Sequence, residues 1–229
     1  MKTRIVYEDQ DILICHKPAG LATQSAGVLE PDMVSELKNH LCGGYLGMIH
    51  RLDQPVEGLL VFARNKQTAA ELSRQLTKGI LRKRYCALVY GSPCGESGRL
   101  EDYLRKEGSL ARVVSMQDPG ARRAVLEYRV RQPAGDGTRE TPDGRDRAGG
   151  NHTCLDITIE TGRFHQIRCQ LSHQRMPILG DRKYGTEESL EESRRMGIRH
   201  VALCACGIRL LHPVTGLEIS HEIVPAWAE

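Results

Sequence analysis

The chain has 229 residues, of which 40% are hydrophobic and 27% charged, a balance that suits one large folded domain or two small ones and excludes a disordered chain. The net charge of +3 permits a polyanionic partner without demanding one. No apolar signal core opens the sequence and no stretch reaches the length of a membrane span, so a cytoplasmic protein without membrane contact is expected.

Aromatic residues are few, with two Phe, seven Tyr and one Trp, so the core must be mostly aliphatic. The eight cysteines show no Cys-x-x-Cys pair, and several lie inside apolar strand patterns. They read as reduced core thiols rather than metal ligands.

In chain order, Ile5–Tyr7 and Ile12–Cys15 read as short strands around a turn-like Glu8–Asp11. Lys17-Pro18-Ala19-Gly20 then marks strand exit and a polar loop. A helix is expected from Pro31, with Asp32 in its first turn, an apolar face at Val34, Leu37 and Leu41, and a stop at Gly43-Gly44. Thr68-Ala69-Ala70-Glu71 has the form of a capping box before a second helix, which Gly79 ends. Arg82–Tyr90 reads as a strand with a strongly positive start.

Residues 92–132 suggest short strands joined by turns, among them Arg112–Met116 and Ala124–Val130. Residues 132–150 have almost no apolar content and are expected to form a flexible loop, carrying Arg139, Arg145 and Arg147. Cys154–Ile159 alternates as a strand. Phe164–His173 reads as a short helix, and Glu187–Met196 as a helix with acids first and Arg194 and Arg195 last. Val201–Leu211 and Leu217–Val224 look like a closing antiparallel pair. Strands outnumber helices, and no linker divides the chain. The fold class expected is α+β: a mixed, mainly antiparallel sheet flanked by helices, as a single domain over residues 1–229.

One stretch organises the candidate chemistry. Met48-Ile49 leads into His50-Arg51-Leu52-Asp53, a bend at Gln54-Pro55, then Gly58 and the apolar run Leu59–Ala63. A short strand would deliver a carboxylate and two cationic groups to a loop, and a buried strand would return the chain to the core. Read alone, the stretch fits equally a surface turn in which Arg51 and Asp53 pair. Tyr85, the run Arg163-Phe164-His165-Gln166-Ile167-Arg168 and the turn at Asp181 add polar groups. In a helix His165 and Arg168 would share a face. An Arg beside a carboxylate keeps it ionised, able to act as nucleophile or base. Basic residues cluster at Lys78, Arg82, Lys83 and Arg84, at Arg163 and Arg168, and at Arg194, Arg195 and Arg199. Neither a Ser-His-Asp pattern, nor a phosphate-cradling Gly-rich loop, nor a metal-ligand cluster is evident.

The ordered set His50-Arg51-Leu52-Asp53, Gly58-Leu59-Leu60, Lys83-x-Tyr85-x-Ala87, Thr161-Gly162-Arg163-x-His165-Gln166-Ile167-Arg168, Pro177-Ile178-x-Gly180-Asp181 and Tyr184-Gly185 resembles the RluA-type RNA pseudouridine synthases. Lys17-Pro18-x-Gly20 and His212-Pro213-Val214-Thr215-Gly216 fit as well, so the likeness runs from about residue 11 to residue 225.

The resemblance implies an isomerase that turns specific uridines of structured RNA, ribosomal or transfer, into pseudouridine. It implies Asp53 as the attacking group, Tyr85 stacked on the base, Arg168 paired with the aspartate, and Arg51 filling the space of the extruded nucleotide. His50, Lys83, Arg163, His165 and Gln166 are the further residues expected to contact RNA. No metal or organic cofactor is implied, and a monomer without the family's small N-terminal RNA-binding domain is expected. Val56-Glu57 stands where many members carry Thr-Ser, and Phe164 and Cys169 where Thr and Val are common. The competing readings are a non-catalytic RNA-binding protein on the same fold, and a glycosidic hydrolase. The hydrolase needs a second carboxylate, for which Asp181 or Glu57 would serve by type.

Overall fold

A computed structural model of the chain describes residues 1–25, 30–131 and 151–228. The expected loop over residues 132–150, with Arg139, Arg145 and Arg147, lies outside the described residues. The chain forms two compact units: Met1–Arg84 with Cys204–Glu229, and Tyr85–Leu203.

The first unit is built on strands β1 (Arg4–Glu8), β2 (Ile12–Lys17), β3 (Gly47–Met48) and β4 (Glu57–Ala63). The strands of the closing pair are β10 (Leu203–Leu211) and β11 (Glu218–Glu222). The order is β1-β2-β4-β10, with β3 beside β4 and β11 beside β10. Most pairs are antiparallel, as Cys15↔Leu60 and Leu211↔Glu218 show. β4 and β10 run parallel through Cys204↔Glu57 and Ala205↔Gly58. All seven residues of β4 are buried, which is why Leu59–Ala63 is a continuous apolar run rather than an alternation. Gly58 explains itself here: its φ is +139°, and a Cβ on it would lie 2.5 Å from the main chain of Ala205.

Helix α1 (Met33–His40) buries the expected Val34 and Leu37 while Leu41 falls at its C-cap, helix α2 (Lys66–Thr77) buries Leu72, and both start differently from expectation. Asp32 is the N-cap of α1, accepting from Ser35 N at 2.7 Å, so Pro31 stays outside the helix. Asn65 caps α2 by accepting from Thr68 N at 2.8 Å. Thr68 is therefore the third helical residue and buried, and the apparent capping box begins three positions late. Leu72 of α2 packs into a core of Ile12, Ile14, Leu59, Val61 and Ile208.

The second unit orders its strands β5-β9-β8-β6-β7. These are β5 (Arg82–Tyr90, whose first three residues belong to the first unit), β6 (Ser97–Glu107), β7 (Leu110–Val114), β8 (Arg122–Val130) and β9 (His152–Ile159). β6 is an 11-residue strand where the sequence suggested only short ones, because its exposed face is nearly continuous charge. Helix α3 spans Gln166–His173 and α4 Glu187–Arg195. Thr186 caps α4 in a reciprocal pair with Ser189, with acids in the first turn and arginines in the last. A small core gathers Leu104, Ala111, Ala124 and Cys169, with Phe164 and Tyr184 against it.

This is the mixed, mainly antiparallel α+β architecture expected. All eight cysteines are reduced; Cys42 and Cys94 are exposed, which corrects the reading of the set as core residues. Burial pushes the Cys15 thiol up to about 12 and Cys154 and Cys169 to about 11. Among the described residues no helix is long and apolar enough to cross a membrane.

Candidate active site

In the first unit β3 and β4 pair antiparallel through Met48↔Phe62, so the chain between them forms the expected loop out and back. Val56 N donates to the Asp53 carbonyl at 3.0 Å, closing a turn over Gln54-Pro55 that presents the half-buried Asp53 side chain. This turn is held from outside. Lys17, 0% exposed, donates from Nζ to the carbonyls of Leu21 (2.7 Å), Pro18 (3.1 Å) and Gln54 (3.1 Å). Gly20 N reaches the same Gln54 carbonyl at 2.9 Å, and Gln54 Nε2 returns to the Gly20 carbonyl at 3.2 Å. On the other side of Asp53, Thr23 Oγ1 donates to the Leu52 carbonyl at 2.8 Å and accepts from Leu52 N at 3.2 Å. Both main-chain neighbours of Asp53 are thus pinned to the loop that follows β2.

Burial pushes the Lys17 ammonium down to about 8, against the pull of the negative charges of Asp53 and Glu57. Glu57 is itself 4% exposed and accepts from Ala226 N at 2.8 Å. Its carboxylate is turned inward, onto the main chain of Ala226.

Arg51 is exposed and lines a cavity of about 310 Å³ with Thr23, Gln24, Met48, Leu52 and Gln54. His50 is different. Its Nε2 accepts from Val61 N at 3.4 Å, and burial, with Lys83 nearby, holds it well below the ordinary imidazole range. It is a neutral ring that joins the loop to β4 rather than a positive charge.

In the second unit Tyr85 lies in β5 and is 5% exposed. Arg168 lies in α3, and its Nε and Nη2 donate to Asp181 Oδ2 (2.7 Å) and Oδ1 (2.9 Å). Asp181 is 0% exposed and also accepts from Lys183 N at 3.0 Å. It stands just after Gly180, whose φ of +76° lets the main chain pass His200, where a Cβ would lie 2.0 Å from the carbonyl oxygen. The turn at Asp181 is thus the buried mount of the Arg168 guanidinium.

The helix expected from Phe164 begins only at Gln166. His165 is its N-cap, in the left-handed region at φ +52°, so His165 and Arg168 do not share a helix face. Phe164 stacks on His165 with ring centroids 3.8 Å apart, and His165 Nδ1 lies 2.9 Å from the Tyr184 hydroxyl. Gln166 is spent internally: its Oε1 accepts from Thr161 Oγ1 (2.8 Å) and Arg163 N (3.0 Å), and its Nε2 donates to the Val125 carbonyl (3.0 Å). His165 and Gln166, expected to contact RNA, are buried residues of this turn. Arg163 is exposed, with Nε on the Arg123 carbonyl at 2.9 Å, and Lys83 is half-buried at the start of β5. The basic clusters of the sequence are broken up by partners: Arg84 pairs with Glu222 at 2.9 Å and Arg195 with Glu192 at 2.6 Å.

One group with the residue types of a metal site, Asp9, Asp11 and His212, was not expected, His212 being distant in sequence from the two aspartates. Its atoms already serve one another and the main chain. Val214 N and Thr215 N donate to His212 Nδ1, so Nε2 carries the proton and donates to Asp9 Oδ2 at 2.9 Å. Asp9 Oδ1 accepts from Asp11 N and Ile12 N at 2.8 Å each. The His212-Pro213 turn is thereby tied to the β1–β2 turn.

A buried carboxylate–guanidinium mount in one unit and a braced Asp turn in the other define a protein built to hold charged side chains at fixed places. The family model for RNA pseudouridylate synthase matches residues 11–173, and the chain belongs to that family. It is 28% identical over 220 residues to the ribosomal large subunit pseudouridine synthase C of Rickettsia bellii, covering 95% of this chain and 67% of the relative. It is 32% identical over 229 residues to the ribosomal large subunit pseudouridine synthase D of Xanthomonas campestris pv. campestris, covering 94% of this chain and 63% of the relative. The chain thus spans about two thirds of the length of these relatives. Human RNA pseudouridylate synthase domain containing 1 has the same fold, with a TM-score of 0.76 at 19% identity over 97% of this chain and 83% of its own. Human RNA pseudouridylate synthase domain containing 4 follows at 0.73 and 21%, over 98% and 90%.

Proposed function

We propose that the chain isomerises uridine to pseudouridine in large-subunit ribosomal RNA, the substrate class that the relatives' names carry. In this reading Asp53 attacks the flipped-out nucleotide and the bond from C1′ to N1 breaks. The uracil turns, C5 bonds to C1′, the bond to Asp53 is released, and the C5 proton leaves as N1 gains one. No atom is added, so no co-reactant enters the balance. Tyr85 is assigned to stack on the base and accept the proton, Arg168 to keep Asp53 ionised, and Arg51 to fill the vacated stack. Lys83 and Arg163 are assigned to the RNA backbone. His50, His165 and Gln166 are assigned to shaping these contacts from within. The reaction is placed in the cytoplasm, with the chain acting as a monomer.

The observation that carries the reading is the bracing of the Asp53 turn by Lys17 and Thr23, which fixes a carboxylate in space as nucleophilic attack requires. The hydrolase reading loses support from the same structure, since both carboxylates available as a second acid are internally engaged: Asp181 with Arg168, Glu57 with Ala226 N. The test is tritium release from large-subunit rRNA transcripts labelled at uridine C5. Wild-type protein should release label and yield pseudouridine without free uracil; free uracil that keeps the C5 label would support the hydrolase, and neither product would count against both.

A further inference from the structure

The second unit holds a basic cavity that the assignments above use only through Arg163. Its volume is about 470 Å³, and Arg105, Lys106, Gly120, Arg122, Arg163 and Phe164 contribute to its wall. Four of its lining residues are cationic and none is acidic. On a chain whose net charge is only +3, that concentration of one sign stands out. Three of these cations have a neighbour that positions them. Phe164, stacked on His165 behind it, carries Lys106 Nζ 4.8 Å from its ring centroid. The Arg163 guanidinium is steadied by the Arg123 carbonyl at 2.9 Å. Arg105 is turned by Glu107, through Nε at 3.0 Å, and stays on the wall beside Gly120, where a Cβ would meet its Cδ at 3.8 Å.

We propose that this cavity is an accessory RNA-backbone subsite, in which Lys106, Arg122 and Arg163 take successive phosphates and the Phe164 ring fixes the position of Lys106. The inference rests on the proposal that the chain acts on RNA, and it adds where the strand beyond the target nucleotide is held. Phosphate groups suit the cavity because cations on a concave wall neutralise a regularly charged backbone and release its counterions. Phe164 stands where the resemblance leads one to expect Thr, so the platform under Lys106 is a feature of this chain.

The experiment measures binding of a large-subunit rRNA transcript and of polyglutamate by fluorescence anisotropy, from 50 to 300 mM KCl, for wild type and for a Lys106→Ala, Arg122→Ala double variant. Tritium release at saturating transcript is measured in parallel. Both substituted residues are exposed and lie outside the catalytic assignments, so the fold and the rate at saturation should persist. The expected result is at least ten-fold weaker RNA binding at 100 mM KCl, with the salt slope reduced by about 1.4 to 1.8, roughly 0.7–0.9 per lost phosphate contact. A single Phe164→Thr variant should show a smaller loss in the same direction. Equal affinity and slope for wild type and double variant would overturn the subsite. Polyglutamate bound as tightly as RNA, with the same dependence on Lys106 and Arg122, would overturn its assignment to RNA. Binding that depends on these residues in a wild-type protein that forms no pseudouridine would keep the subsite and overturn the catalytic reading instead.

Discussion

Lys17 Nζ donates to the main-chain carbonyl of Gln54 at 3.1 Å, one residue beyond Asp53. A cation with no exposure thereby holds the turn that presents the candidate nucleophile, and the link joins positions 37 residues apart in sequence. Replacing Lys17 by Met keeps the apolar stem and removes the donor. The carbonyls of Leu21 and Pro18 lose this partner, and the Asp53 turn loses one brace. Because small displacements of a reacting group cost large factors in rate, kcat should fall about ten-fold or more while far-ultraviolet circular dichroism stays that of wild type. An unchanged kcat would show that the turn holds its place without Lys17.

The same residue gives the protein a pH signature. Burial lowers Lys17 from 10.5 to about 8 in the folded chain. Between those values the unfolded chain binds the proton that the folded chain has released, so this group makes stability rise with pH across that window. At about 1.4 kcal/mol per pH unit, the gain from pH 8 to 10.5 is roughly 3 kcal/mol at most. Thiols and phenols raised by burial act in the opposite direction over the same range, so the comparison must be between wild type and Lys17→Met. Urea denaturation at pH 7.5 and pH 10 should show the stability difference between the two proteins shift in favour of wild type at the higher pH. A difference independent of pH would contradict the lowered value.

Arg168 and Asp181 form a buried ion pair whose removal should be felt first in stability. Asp181→Asn leaves a guanidinium in the interior facing a neutral amide, and breaking such a pair from one side costs roughly 3–5 kcal/mol. The midpoint of urea denaturation should fall accordingly, and activity should fall at temperatures where the variant is still folded, because Arg168 is no longer aimed. Arg168→Ala tests the proposed role toward Asp53 less cleanly, since it also strands Asp181. Arg168→Lys keeps the charge but not the two-pronged geometry, and should retain more stability than activity. Stability losses below about 1 kcal/mol in all three variants would mean that the pair is not the mount described here.

Much of this arrangement is legible in the sequence, for physical reasons that differ by element. The fully buried β4 announces itself as an unbroken apolar run after Gly58, and β5 as a basic start passing into Tyr85–Val89. The turn at Gln54-Pro55 follows from its residues. Helix starts were less legible because Asp32, one position after the expected start at Pro31, and Asn65, three positions before Thr68, win by having extended backbone at the right place. The sequence could not show that Glu57 turns inward to Ala226, that Lys17 is buried, or that Asp181 serves Arg168, because each depends on a partner brought in by tertiary structure. A signal was nevertheless available for Lys17: it closes β2, whose other five residues include Ile12–Cys15, all buried, and Pro18-x-Gly20 at once turns carbonyls back toward it. His165 misled by type, since His at the head of a basic run suggests a solvent-facing contact, whereas its left-handed backbone points it to Tyr184.

The central claim is that Asp53 carries the isomerisation. The most direct measurement is pseudouridine mapping of total RNA from cells lacking the gene, complemented with wild type or with Asp53→Asn, a change that removes the nucleophile with little change in volume. Specific sites in large-subunit rRNA should vanish without the gene, return with wild type, and stay absent with Asp53→Asn at equal protein level. Restoration of those sites by Asp53→Asn would contradict the account.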